Sequence, residues 1–200
     1  MTNILVATRN RGKLRELQQI FAGLALTLLT LDDVGITTEI AETGTTYAEN
    51  ARLKAEGYLQ LSGLPTIADD SGLEVAALKG APGVYSARYG DVTGEAQNAY
   101  LLKQLEGFPF HERLARFVCV LALARPGGAT VFVEGTWYGA IELAPRGTGG
   151  HGYDPIFYVV DADKTAAELT PTEKNALSHR GIAGREAREV LAQWLEKGLL

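Results

Sequence analysis

Two adjacent carboxylates, Asp69 and Asp70, close the strand-forming run TIA and are followed by Ser71 and Gly72. Such a run ending on two acids places mutually repelling charges where a buried strand meets a turn. On an extended strand the two side chains point to opposite faces; if the chain turns at Asp70, both line one mouth. Acids at a strand end of an α/β sheet stand where such sheets commonly bind ligands. They supply hard oxygen ligands for Mg²⁺, and a carboxylate there can activate water. Asp and Ser are also ordinary turn residues, but one acid would suffice for a turn.

Other stretches carry compatible chemistry. In ATRNRGKLREL, Thr8, Asn10 and Lys13 stand between an apolar run and a helical one. Backbone N–H groups at a helix start favour an anion, and Lys13 adds a full charge; an ordinary βα turn with surface basic residues would read the same. In GTGGHGYDPIF the glycines permit close backbone approach to a ligand. His151 and Tyr153 offer faces for a flat base, worth about 1–3 kcal/mol per base in nucleic-acid binders; a glycine-rich hairpin loop is the plain alternative. EKNALSHRG gathers Lys174, His179 and Arg180 beside Gly181, read as a helix junction. Arginine donors suit a phosphate or a purine carbonyl oxygen, and basic residues also suit any helix C-terminus. In AETGTTYAENARLKA, Glu42 can join a metal and Lys54 the phosphates, although such charges ordinarily solvate a helix. An acid pair, two anion sites, a stacking loop and a base-edge reader together fit a nucleoside triphosphate.

These residues need elements to position them. NILVA and LTLLTL read as strands, and Leu14, Leu17, Phe21 and Leu24 recur at helical spacing. TTYAENARLKAEGYLQLSG reads as a helix capped at Thr45 or Thr46, with Ala48, Leu53 and Leu59 among its apolar positions and a stop at Gly63. LPTIADD is a strand, with SGLEVAAL as its hairpin partner. GAPGVYSARYG is a Gly/Pro loop, and TGEAQNAYLLKQLEG a helix capped by Thr93. ARFVCVLALAR, ATVFVEGTW and YGAIELA are three strand-like runs, and GTGGHGYDPIFYVV is a loop feeding another. TAAEL, TEKNALS and GREAREVLAQWLEKG are helical. The order implies an α/β fold, a mixed sheet with helices on it.

Composition narrows the partners. The chain has 200 residues, 46% hydrophobic, enough for a real core in one domain or one domain with two lobes. A formal net charge of −5 argues against a nucleic-acid or anionic membrane surface. The single cysteine, Cys119, lies in an apolar strand and reads as inert core; with no intrachain disulfide possible, a reducing, cytoplasmic setting is expected. The N-terminal apolar run is too short for a signal peptide or a membrane span. GTGGHG matches a dinucleotide fingerprint but precedes a strand-like run instead of a helix. RNRGKL lacks the P-loop's first glycine and its Ser or Thr. His111, His151 and His179 have no metal-ligand spacing, and no Ser/His/Asp triad is evident.

TRNRGK, AETG, ADDSGLEV, GAPGVYSARYG, GTGGHGYDPIF, KTAAELT and EKNALSHRG occur in the order found in the inosine triphosphate pyrophosphatase family, and the chain resembles that family from Thr8 to Gly181. The enzymes are called dITP/XTP pyrophosphatases in bacteria. The resemblance implies an elongated mixed sheet flanked by helices, in two lobes with a central cleft, usually in a homodimer. It implies Mg²⁺-dependent conversion of ITP, dITP or XTP to the monophosphate and pyrophosphate. By matched position, Thr8, Arg9, Asn10, Arg11, Gly12 and Lys13 cradle the phosphates. Asp70 is the catalytic acid–base residue and a metal ligand, with Glu42 near the metal. Ser71 touches the substrate, and His151, Gly152, Tyr153 and Asp154 hold its base and sugar end. Lys174, His179 and Arg180 complete the pocket, with Lys54 and Arg88 as further candidates. The family commonly has Phe where this chain has His151, whose imidazole can also donate a hydrogen bond or carry charge near pH 6.5.

On this reading the acid pair holds Mg²⁺, Asp70 orients or deprotonates the attacking water, and without metal one of the two acid pKa values rises. Donors such as Arg180, aimed at the O6 acceptor of hypoxanthine or xanthine, would be left unpaired by adenine, a mismatch worth about 10⁴–10⁵ in selectivity. Two alternatives stand beside it. A nucleotide sensor would bind without turnover, and a haloacid-dehalogenase-like phosphatase would release inorganic phosphate, although its two acids belong one residue apart after the first strand.

Overall fold

The computed structural model describes residues 2–200. Seven strands form one mixed sheet in the order β2-β1-β3-β4-β5-β6-β7. They are β1 (Thr2–Val6), β2 (Leu26–Leu29), β3 (Thr66–Val75), β4 (Leu114–Ala124), β5 (Val131–Ile141), β6 (Phe157–Val159) and β7 (Lys164–Thr165). β1 pairs in parallel with β2, Thr2 facing Leu26, and with β3, Leu5 facing Thr66. β6 runs antiparallel to β5 and to β7. The chain divides into two compact units: one holds the chain up to Asp70, Cys119–Gly135 and Arg180–Leu200, the other Ser71–Val118 and Thr136–His179. Among the described residues no helix is long and apolar enough to cross a membrane.

The first unit buries both faces of its inner strands, β1 and the adjoining parts of β3 and β4, which is why they read as unbroken apolar runs rather than alternating ones. Ile4, Val6, Ile67, Cys119, Leu121 and Leu123 pack on one side. That side is covered by α1 (Arg11–Ile20), through Leu17, and α5 (His179–Glu196), through Ala183, Ala187, Leu191 and Trp194. Leu5, Ala7, Ala68, Val120, Ala122 and Ala124 pack on the other side, against Ala51, Ala55 and Tyr58 of α2 (Tyr47–Ser62). Thr46 and Glu49 form a reciprocal capping box at the start of α2, and Gly63 ends it in the left-handed conformation. Of the expected apolar positions of this helix, Leu53 and Leu59 are half-buried and Leu59 packs on this core. Ala48 is exposed, whereas Asn50 and Lys54 are buried with the alanines.

The second unit is built on Leu73, Val75, Leu101, Leu105, Phe117, Trp137, Ile141, Ile156, Phe157 and Val159. Its helices are α3 (Glu95–Gln104) and α4 (Pro171–Leu177). Several boundaries differ from expectation. Gly94, not Thr93, precedes α3. The two runs VFVEGTW and YGAI form the single strand β5, and TAAEL divides into the end of β7 and a 3₁₀ turn, Ala166–Glu168. GAPGVYSARYG contains 3₁₀ structure over Gly83–Asp91, and YDPIFYVV opens with a 3₁₀ turn, Asp154–Ile156, before β6. The helix break lies at Ser178, so Gly181 is inside α5.

The largest correction concerns β3. Ser71 and Gly72 do not turn the chain; the strand continues to Val75, and SGLEV is its second half rather than a hairpin partner. The turn signal is overridden because charge partners neutralise both acids within the sheet, so nothing forces the chain to leave it.

Candidate active site

Because β3 stays extended through both acids, Asp69 and Asp70 face opposite sides. Asp69 continues the side of Ile67, toward α1 and α5, and Asp70 continues the side of Ala68, toward α2. The pair therefore does not form one metal mouth.

Asp69 is 3% exposed and receives an ion pair on each oxygen. Lys13 Nζ donates to Oδ1, and Arg180 Nε donates to Oδ2 at 2.7 Å. Cys119 Sγ adds a third donor to Oδ2 at 3.2 Å. Arg180 Nη1 is 2.5 Å from Glu16 Oε2. Burial alone would raise the Asp69 pKa, but Arg180 and then Lys13 hold it well below the usual carboxylate range. Burial, reinforced by the Asp69 charge, pushes the Cys119 thiol well above its ordinary value. Cys119 is buried in the core, as expected, and the hydrogen bond to Asp69 is what the sequence did not indicate. Arg180 is 1% exposed and committed to Asp69 and Glu16, so in this structure it is not presented as a reader of a purine edge.

Asp70 has a different environment. Its Oδ1 lies 3.3 Å from Lys54 Nζ, and its buried Oδ2 has no hydrogen-bond partner among the described residues. Lys54 Nζ also lies 3.2 Å from Glu42 Oε1. Burial pushes the Asp70 pKa up to about 6 despite the opposing charges of Lys54 and Lys13, with smaller upward contributions from Glu42 and Asp69. One acid is thus raised, as expected, but chiefly by loss of water and only secondarily by its neighbour. Burial lowers the Lys54 pKa, and Asp70 and Glu42 more than restore it, leaving it above the ordinary value. Asn50 Oδ1 accepts from Gly44 N at 2.8 Å and so ties the loop that carries Glu42 to α2. Gly44 is needed there, because a Cβ would lie 2.6 Å from that of Glu49.

The TRNRGK segment joins β1 to α1. Asn10 caps the helix, its Oδ1 accepting from Gly12 N at 2.8 Å and Lys13 N at 3.1 Å. Thr8 Oγ1 accepts from Asn10 N. Lys13 projects from the first turn, whereas Arg11 is exposed and Arg9 reaches Ile36 O at 2.9 Å, tying down a neighbouring turn. Ser71 is half-buried on β3.

In the second unit, Asp154 organises the glycine loop. Its Oδ2 accepts from His151 N at 2.6 Å and from buried Lys174 Nζ at 2.5 Å. A Cβ at Gly150, which has φ +70°, would collide with the same carboxylate. Tyr153 is buried and donates to Ser86 O at 2.9 Å, so its ring is packed inside rather than offered to a base, while His151 is half-buried. Burial raises the Tyr153 pKa. Gly152 O accepts from Asn98 Nδ2 at 3.2 Å. His179 stacks on Phe117 at 4.6 Å and 10°, with Trp137 beyond. Arg88 is exposed, its guanidinium 5.3 Å from the Tyr85 ring centre. Glu16, Asn50, Ser86 and Asn98 were not singled out in sequence, where each is a common polar residue whose partner is distant along the chain.

Among the described residues no group of three or more His, Cys, Asp or Glu side chains gathers as a metal site. Asp70 and Glu42 nonetheless fit a hard divalent cation. They share a cation already, the Lys54 ammonium, and Asp70 retains an unmatched buried oxygen. Mg²⁺ typically takes one or two carboxylates and completes its shell with water and phosphate oxygens.

The Ham1 family profile matches residues 4–190. A dITP/XTP pyrophosphatase of Geobacter sulfurreducens is 52% identical over 185 residues, covering 92% of this chain and 93% of that protein. One of Geobacillus kaustophilus is 50% identical over 198 residues, covering 98% and 96%. The solved structure of a HAM1 protein from Coxiella burnetii superposes with a TM-score of 0.87 at 42% identity, over 96% of this chain and all (100%) of that one. The chain belongs to the Ham1 family.

Proposed function

We propose that this chain hydrolyses deaminated purine nucleoside triphosphates, ITP, dITP or XTP, to the monophosphate and pyrophosphate, with Asp70 as the acid–base residue. The observation that carries this reading is the setting of Asp70: a buried carboxylate with an unmatched oxygen, beside Lys54 and Glu42. A buried carboxylate with an unmatched oxygen can orient a water and take its proton. The names of the relatives support the substrate class.

Lys13 and Lys54 supply positive charge to the triphosphate, and the start of α1 orients it. Asp70 orients a water and takes its proton as the water oxygen bonds to the α-phosphorus. The bond from that phosphorus to the bridging oxygen breaks in line, and pyrophosphate leaves. Such chemistry is mostly positioning and charge stabilisation. A divalent cation held by Asp70 and Glu42, for which Mg²⁺ is the proposed species, would supply charge neutralisation at phosphate oxygens.

The test is product analysis with ITP, XTP, dITP, ATP and GTP, in Mg²⁺ and in EDTA, counting phosphate with and without added inorganic pyrophosphatase. Phosphate seen only with that helper, in Mg²⁺, from ITP or XTP and hardly from ATP or GTP, is expected. Phosphate without the helper would contradict the mechanism, and binding without turnover would establish a sensor instead. Asp70→Asn should keep nucleotide binding while turnover falls about 10²–10⁴-fold; near-normal turnover would remove Asp70 from this role.

A further inference from the structure

Lys54 places its ammonium between the two acids that would hold a metal ion. Its Nζ sits 3.2 Å from Glu42 Oε1 and 3.3 Å from Asp70 Oδ1, on a side chain only 11% exposed. α2 dictates this placement, because Lys54 lies on the helix's buried face between Ala51 and Ala55. An ammonium in that spot neutralises both carboxylates and would repel a divalent cation seeking the same oxygens. At such separations the repulsion is substantial even with strong screening. Lysine's flexible four-carbon stem lets the charge swing away without moving the helix.

We propose that Lys54 is a resident counter-cation that keeps the Asp70–Glu42 site closed to divalent metal until a triphosphate arrives. The phosphates offer Lys54 a new partner, its ammonium leaves the carboxylates, and metal enters. Metal and triphosphate therefore load with positive coupling, and metal alone binds weakly. The inference rests on the reading of Asp70 and Glu42 as metal ligands.

The experiment is a titration of the nucleotide-free full chain with Mn²⁺, following the free-ion paramagnetic resonance signal, with the melting temperature of each variant establishing that it is folded. Lys54→Met should bind Mn²⁺ about tenfold or more tightly than the parent chain, within the roughly 5- to 150-fold range of ordinary coupled sites. Lys54→Arg should stay near the parent. Lys13→Met, which removes the same charge from the Asp69 cluster, should change affinity much less. If Lys54→Met does not fold, Lys54→Gln is held to the same standard. Unchanged or weaker binding on neutralising Lys54 would overturn the proposal, as would an equal effect from Lys13→Met. Absence of Mn²⁺ binding in every variant would overturn the metal-ligand reading and this inference with it. No nucleotide is present, so the titration can fail while pyrophosphate release succeeds, and the reverse.

Discussion

The two faces of β3 treat identical side chains in opposite ways. On the α1–α5 face, Asp69 receives Lys13, Arg180 and Cys119, and the arginine is itself balanced by Glu16. On the α2 face, Asp70 shares one lysine with Glu42 and keeps a buried oxygen unmatched. Full satisfaction holds the first acid ionised and fixes Lys13 at the start of α1. Partial satisfaction leaves the second with an appetite for a proton or a cation. Adjacent acids on one strand are thus compatible because each faces its own cations, two for Asp69 and one shared lysine for Asp70. The difference also explains why a buried charge is tolerable at Asp69, since an unpaired ion there would be far costlier than a paired one.

Breaking the satisfied face should have the largest effect on stability. Asp69→Asn strands Arg180 and Lys13 beside a neutral group and should destabilise the protein by about 3–5 kcal/mol, measured by denaturant unfolding; a loss well below that range would mean Glu16 and solvent already balance the arginine.

The same substitution one residue on should act in the opposite direction. The folded pKa of Asp70 lies above its unfolded value, so its protonation favours the fold below the unfolded pKa, and that contribution is lost as pH rises through about 6. Above that pH, metal-free Asp70→Asn should therefore be more stable than the parent by about 3 kcal/mol, a gain that shrinks toward pH 4. Thermal melts at pH 8 and pH 4.5 measure it, and a destabilised variant at pH 8 would show that the Lys54 pairing outweighs burial. Asp69 has the reverse sign: its depressed pKa contributes stability above the unfolded pKa, which is lost as pH falls through the folded one.

The smallest effect sharpens the comparison. Cys119→Val keeps the apolar volume and removes one weak donor from Asp69, and should cost about 1 kcal/mol with little change in turnover. A large loss of turnover would mean that the orientation of Asp69 controls Lys13 more tightly than its two ion pairs imply.

Much of this was legible in the chain, for identifiable reasons. Ile4, Leu5 and Val6 read as a buried strand because both faces of β1 are covered, and Leu17 and Phe21 read as one helix face because they pack on one core. The family motifs identified Asp70, Glu42 and Lys13 as candidates. What was hidden was long-range. Ser71 and Gly72 look like a turn until Lys13, Lys54 and Arg180, from three separate helices, neutralise the acids before them. Arg180 looks like a base reader until Glu16 and Asp69 close on it, and Tyr153 like a stacking platform until its hydroxyl finds Ser86 O. Lys54 reads as a solvated helix charge because the face of α2 it shares with two alanines carries no periodic signal strong enough to outweigh its polarity.

The most direct test of this division is a carboxyl NMR titration of the metal-free protein labelled with ¹³C-aspartate. One aspartate should titrate with a midpoint of about 6 and vanish in Asp70→Asn. No aspartate midpoint above about 4.5, or one near 6 that persists in that variant, would contradict the account.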